Sequence, residues 1–184
     1  MSTRFQILET PLQDLLVVKG TRLSDERGFF TRRYCADEFK NFGLNDTWKQ
    51  INMSSNRHKG TYRGMHFQVS PFAEIKLVSC TRGSLVDFAI DMRPNSPTFK
   101  RVFNIELSEQ NEFSLYIPEG FAHGFQTLEN NTDILYLSSN FHNSEFEKGL
   151  HYEDPNLEIN LPLPISKISK KDLSWPFIQN TPQP

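Results

Sequence analysis

The stretch Gly60-Thr61-Tyr62-Arg63-Gly64-Met65-His66-Phe67-Gln68 places a permanent cation, Arg63, three positions before a titratable imidazole, His66. An imidazole can take up or release a proton near neutrality, and a guanidinium fork binds carboxylate or phosphate through two parallel bonds. The run reads as a strand bracketed by two glycines. Residues three apart on a regular strand point to opposite faces, so a twist or bulge at Gly64 is needed for Arg63 and His66 to converge. Three more side chains could carry chemistry. Lys76, in Glu74-Ile75-Lys76-Leu77-Val78, is either a snorkelling residue at a sheet edge or a fixed cation inside a barrel. Tyr136, in Asp133-Ile134-Leu135-Tyr136-Leu137, is either core packing or a catalytic phenol, and Asp172 would by default cap or solvate a helix end.

His123 lies in Pro118-Glu119-Gly120-Phe121-Ala122-His123, which resembles the second motif of the cupin superfamily, where the histidine is commonly a metal ligand. The first cupin motif wants a His-x-His pair followed by Glu, and His66-Phe67-Gln68 supplies one imidazole only. A stable site needs three or four convergent nitrogen or oxygen ligands. A metal-free cupin without a cofactor is therefore expected.

Those residues need a scaffold, and the chain offers short strands. Apolar and β-branched runs at 15–19, 29–34, 48–54, 62–68, 75–80, 85–91, 99–107, 113–117, 124–128 and 134–138 are separated by Gly, Pro, Asn, Asp and Ser. In Leu85-Val86-Asp87-Phe88-Ala89-Ile90-Asp91 the alternation puts Asp87 and Asp91 on one face, which is then either wet or the lining of a polar pocket. Helix signals are confined to 36–42, closed by Gly43, and 166–173. Residues 179–184 read as a frayed tail. The expected fold is all-β, a jelly-roll sandwich or barrel with a mouth for a ligand.

Composition narrows the partners. At 184 residues the chain suits one domain. Lys and Arg total 20 against 22 for Asp and Glu, which argues against a nucleic-acid binder, and the aromatic load argues against disorder. No apolar run is long enough to cross a bilayer, so a soluble, cytoplasmic protein is expected. Cys35 and Cys80 have no paired spacing and read as small core hydrophobes.

Taken in order, these motifs resemble the dTDP-4-dehydrorhamnose 3,5-epimerases. The matching stretches are Asp25-Glu26-Arg27-Gly28-Phe29-Phe30, Gln50-Ile51-Asn52-Met53-Ser54, the 62–68 strand, Ile75-Lys76-Leu77-Val78, Val86 to Arg93, Ser96-Pro97-Thr98-Phe99, Tyr116 to Phe125 and Asp154-Pro155. The resemblance implies a homodimeric, metal-free cupin acting on a nucleoside-diphosphate 4-keto-6-deoxyhexose in deoxysugar and surface-polysaccharide synthesis. It implies His66 as general base paired with Asp172, Tyr136 as general acid, Lys76 and His123 on the sugar, and Arg63 on the diphosphate. Arg27 would reach in from the partner subunit, and Gln50, Asn52, Glu147 and Lys171 would complete the contacts.

Three positions depart from the family pattern. Arg32 stands where the family has a nucleotide-contacting Glu, His142 where it has a tyrosine that stacks on thymine, and Leu161-Pro162 where it has Trp-Pro. The first two bear on which base is recognised. The leading expectation is an epimerase acting at C3, C5 or both. The alternatives are a ketosugar 3,4-isomerase, for which the same base would serve, a non-catalytic sugar-nucleotide binder, and a metal-dependent cupin oxygenase.

Overall fold

A computed structural model describes residues 3–178 and consists of two antiparallel sheets packed face to face. In chain order the elements are β1 (Phe5–Glu9), β2 (Leu16–Gly20), β3 (Arg22–Asp25), β4 (Gly28–Thr31), α1 (Ala36–Asn41), β5 (Gln50–Asn56), β6 (Tyr62–Gln68), β7 (Lys76–Arg82), β8 (Ser84–Asp91), β9 (Val102–Ser108), β10 (Phe113–Ile117), β11 (Phe121–Thr127), β12 (Thr132–Ser138), β13 (Glu147–Gly149) and α2 (Lys170–Leu173). One sheet has the order β1-β2-β10-β7-β12-β5 and the other β13-β6-β11-β8-β9, while β3 and β4 form a separate hairpin. This is the jelly-roll sandwich expected from the strand spacing, and of the cupin type that the motif resemblance implied.

Side-chain alternation sorts the strands into three apolar clusters. The interior between the sheets holds Val78 and Cys80 from β7, Leu85 and Ala89 from β8, Phe121 and Phe125 from β11 and Ile134 from β12. The intervening residues Leu77 and Leu137 face outward under α1, where Phe39 is fully buried among Phe5, Val18 and Tyr116. On the other flank Met65, Phe88, Ile90 and Ala122 are covered by Leu150, Leu157, Ile159 and Leu161 from the C-terminal segment. Both sheets are coated over most of their outer faces, the edge strand β5 excepted, where Ile51 and Met53 are exposed, and polar side chains reach the interior only where a strand delivers them at the right parity.

Several boundaries differ from the sequence reading. The 29–34 run pairs only as far as Thr31, because β4 belongs to a tight hairpin in which Asp25 faces Gly28. The strand expected from 99 begins at Val102, since Ser96, Thr98 and Phe99 form turns held by Asp91. The helix expected over 166–173 is reduced to Lys170–Leu173, because Ser166 and Lys167 are extended and bonded to Gly60, Thr61 and Tyr62. Strands β1, β3 and β13 add pairing outside the apolar runs that mark strands in the sequence. Lys76 is not at an edge, because β7 lies between β10 and β12. Cys80 is buried and Cys35 is half-buried against the α1 cluster. The tail expected at 179–184 lies outside the described residues. No helix among the described residues is long and apolar enough to cross a membrane.

Candidate active site

His66 and Arg63 meet because β6 carries a bulge. His66 sits opposite His123 and Arg63 opposite Phe125, so three steps along β6 match two along β11. The extra residue turns Met65 to the outer cluster and returns Arg63 and His66 to one face. Phe125 belongs to the interior cluster, and that shared face is the interior one. Gly64 has φ 139°, and a Cβ there would lie 2.5 Å from the Cα of Gly124. Two glycines abreast let the strands approach closely at this point.

The imidazole is held from outside by the C-terminal segment. His66 Nε2 lies 2.5 Å from Asp172 Oδ1. Ser169 caps α2 by accepting a bond from the Asp172 backbone N–H, which leaves the Asp172 carboxylate free to face β6. Burial opposes the charge on Asp172, but the bond and charge of His66, with bonds from Ser169 and the Gly64 backbone, hold its carboxyl below the usual carboxylate range. Trp175 packs edge-on to His66 with ring centroids 5.9 Å apart, and a Cβ at Gly149 would run into its indole.

A second imidazole–carboxylate pair stands beside the first. His123 Nε2 lies 2.6 Å from Oδ1 of the fully buried Asp87. Burial raises the Asp87 pKa against the lowering pull of His123 and Lys76. The shared face of Asp87 and Asp91 is therefore dry. Asp91 turns into its own corner, accepting bonds from Arg93, Ser96 and Thr98, which hold its pKa at about 2 despite burial.

The facing wall comes from the other sheet. Tyr136 lies opposite Asn52 on one side and Val78 on the other, and Ser138 opposite Gln50 and Lys76. Gln50, Asn52, Lys76 and Tyr136 therefore share the interior face with Val78 and Ile134. Lys76 Nζ is 3.3 Å from Glu74. Burial pushes the Tyr136 phenol well up, offset in part by its hydrogen bond with Ser54, so it stays protonated at neutral pH. Together with His66, His142 and Glu147 these side chains line a cavity of about 210 Å³. A neighbouring opening of about 380 Å³, also touching His66, is lined by Arg63, Lys167 and Lys171. A larger groove of about 700 Å³ around Leu12, Phe42 and Tyr116 has no histidine, lysine or arginine in its lining.

At the rim, Glu147 Oε2 lies 2.5 Å from Lys171 Nζ and 3.4 Å from His142 Nε2, while the His142 backbone N–H donates to Gln50. Lys171 holds the Glu147 carboxyl below its usual value against burial. Arg27 and Arg32 line neither opening. Arg27 is at the turn of the β3–β4 hairpin, largely exposed and paired with Asp25, and Arg32 bonds Glu38 at 2.7 Å beside α1. Each active-site imidazole gives its Nε2 to a carboxylate, and the described residues hold no cluster of three His, Cys, Asp or Glu placed to bind a metal.

Sequence reasoning missed Asp87 as the His123 partner, Ser54 and Asn56 behind Tyr136, and Trp175. For Asp87 the alternation in β8 was the available signal. Trp175 had none, since its contact depends on how the C-terminal segment folds back.

Comparison with known proteins agrees with this arrangement. The family model described as dTDP-4-dehydrorhamnose 3,5-epimerase matches residues 9–180. A dTDP-4-dehydrorhamnose 3,5-epimerase of Sinorhizobium fredii is 37% identical over 172 residues, covering 93% of this chain and 88% of that protein. The crystal structure of dTDP-4-dehydrorhamnose 3,5-epimerase from Elizabethkingia anophelis superposes with a TM-score of 0.89 at 36% identity, over 95% of this chain and 97% of the other. A 3,5-epimerase of Legionella pneumophila, solved in complex with dTDP-4-keto-L-rhamnose, has a TM-score of 0.89 at 35% identity and covers 94% and 92%. With the sandwich, the paired imidazoles and the facing phenol in place, a match of this length means that the chain belongs to the dTDP-4-dehydrorhamnose 3,5-epimerase family, an isomerase family.

Proposed function

We propose that the chain epimerises a nucleoside-diphosphate 4-keto-6-deoxyhexose at C3, C5 or both, with His66 as base and Tyr136 as acid. The observation that carries this reading is that the two side chains line one cavity from opposite sheets. Inversion at carbon removes a proton from one face and returns one to the other, which a single residue does poorly. Here the C–H electron pair passes to the ketone oxygen as the proton moves to His66. The enolate collapses when Tyr136 O–H delivers a proton to the same carbon from the opposite side. Asp172 holds Nε2 of His66, so Nδ1 is the nitrogen left to accept the proton, and the carboxylate stabilises the imidazolium that results. Lys76, on the interior face of β7, supplies positive charge for the developing enolate oxygen. His123, fixed by Asp87, adds a contact to the sugar.

Arg63, Lys167 and Lys171 suit a diphosphate at the adjoining opening. Gln50, Asn52, Glu147 and His142 stand where the sugar and nucleotide would meet, and His142 would bear on base recognition from this wall, whereas Arg32, held by Glu38 beside α1, lies away from both openings. The apolar side chains Phe29, Phe30 and Leu23 on the hairpin and Ile51 and Met53 on the edge strand β5 are uncovered in one chain. A homodimer that packs these surfaces together would carry Arg27 into the partner's site.

Incubation with dTDP-, CDP- and GDP-linked 4-keto-6-deoxyhexoses in deuterated water tests the reading. Label entering C3 or C5 with inverted product is expected. A relocated carbonyl would make the protein a ketoisomerase, and no label with any substrate would refute enolisation.

A further inference from the structure

The hydrogen-bond donors behind Tyr136 all point one way. Asn56 is 2% exposed and bonds three partners. Arg63 Nε can only donate, so the Asn56 atom 2.9 Å from it is the carbonyl Oδ1. The Thr132 carbonyl can only accept, so the atom 3.2 Å from it is the amide Nδ2. Both ends therefore fix the orientation of the same amide. Nδ2 also faces Ser54 Oγ at 3.4 Å, so Ser54 accepts there and its single proton is free for Tyr136 Oη, 3.0 Å away. With that proton donated to Tyr136, the phenol accepts through a lone pair and its own proton is turned towards the cavity. If the amide were reversed, Ser54 would need its proton for Asn56 and the phenol proton would point away from the substrate.

We propose that Ser54 is a positioning residue for proton delivery, aiming the Tyr136 proton at the sugar through a donor chain that runs from Arg63 through Asn56. The proposal rests on Tyr136 being the acid of the proposed reaction and adds how that acid is oriented. In the step itself the Tyr136 O–H bond breaks, a C–H bond forms on the sugar, and the phenolate left behind keeps the Ser54 O–H bond. The proton taken by His66 leaves to solvent and the phenolate is reprotonated, so no further reactant is required. Arg63 serves the chain through Nε, which leaves its terminal nitrogens for an anion.

Removing the hydroxyl should spare proton abstraction and impair inversion. In deuterated water, Ser54→Ala is expected to lower the rate of inverted product by about 10- to 100-fold with KM changed less than about twofold, the loss of one bond to a developing charge. His66 continues to exchange the substrate proton from its own face, so the ratio of label exchange to inversion rises by a similar factor. Ser54→Thr retains the hydroxyl, suits a strand and should restore the ratio. An unchanged ratio in Ser54→Ala overturns the proposal, as does a raised ratio that Ser54→Thr fails to restore. If the unsubstituted protein neither exchanges nor inverts any ketosugar, the assigned reaction itself is wrong.

Discussion

Replacing Asp172 by Asn keeps the shape of the pair with His66 and removes its charge. The cap of α2 uses the backbone N–H of residue 172, so Ser169 holds the segment in either case. A bond to a charged acceptor contributes about 1.5–3 kcal/mol and a neutral one about 0.5–1.5, so the substitution forfeits roughly 1–2 kcal/mol. The imidazolium formed on proton abstraction benefits most from the lost charge. The deficit therefore falls on the transition state, a drop in kcat of about 5- to 30-fold, with KM little changed. The same pair sets a pH signature. Asp172 is held below its ordinary value in the folded protein, so its contribution to stability is present above about pH 4 and lost as pH falls through the depressed folded value. The difference in Tm between the unsubstituted protein and Asp172→Asn should be flat above about pH 5 and close in more acidic buffer. Steady-state kinetics and a Tm series against pH check both parts. A kcat within twofold, or a loss confined to KM, would refute Asp172 as the partner of the base.

Asp91→Asn should cost up to about 2.6 kcal/mol at neutral pH, because a carboxyl at about 2 in the fold and near 4 when unfolded contributes that much stability. Its penalty in Tm should shrink between pH 4 and 2, and a pH-independent penalty would count against the corner built on Arg93, Ser96 and Thr98. Gly64→Ala and Gly43→Ala both force a side chain onto positive φ, but only the first meets backbone, since nothing lies within 4 Å of a Cβ at Gly43. Gly64→Ala should lower Tm several degrees further and depress kcat, and equal effects on the two would remove the close approach as the reason for the bulge. If the proposed homodimer packs through the hairpin, Phe29→Asp with Phe30→Asp should shift sedimentation towards monomer and raise KM, and Arg27→Ala should raise KM without changing sedimentation. A dimer that persists in that double variant would place the interface elsewhere.

How far the site was legible depended on distance along the chain. The alternation in β8 and β12 delivered Asp87 and Tyr136 to the interior, because parity is local and needs no partner. Parity separated Arg63 from His66 unless a twist or bulge intervened at Gly64; the bulge is there, but it answers to Gly124 on a neighbouring strand, which parity alone does not read. Lys76 was undecidable for the same reason: whether a strand is an edge is settled by where β10 and β12 pair. The default reading of Asp172 as a helix-end residue placed it correctly at α2, but its link to His66 came through family resemblance. Of the hairpin β3–β4 only the 29–34 run reads as a strand from sequence, since Arg22, Ser24 and Asp25 give no apolar face to read.

The pairing of His66 with Asp172 spans 106 residues, and every strand of both sheets precedes the aspartate. During synthesis the sandwich can close, with His66, His123 and Tyr136 already in its walls, before the carboxylate that orients the base exists. The last segment then completes the outer apolar cluster and reaches Thr61, Gly149 and His66. A nascent chain stalled after β13 would lack both the apolar cover of Met65, Phe88 and Ile90 and the carboxylate on His66, and full proton-transfer power would arrive only with α2.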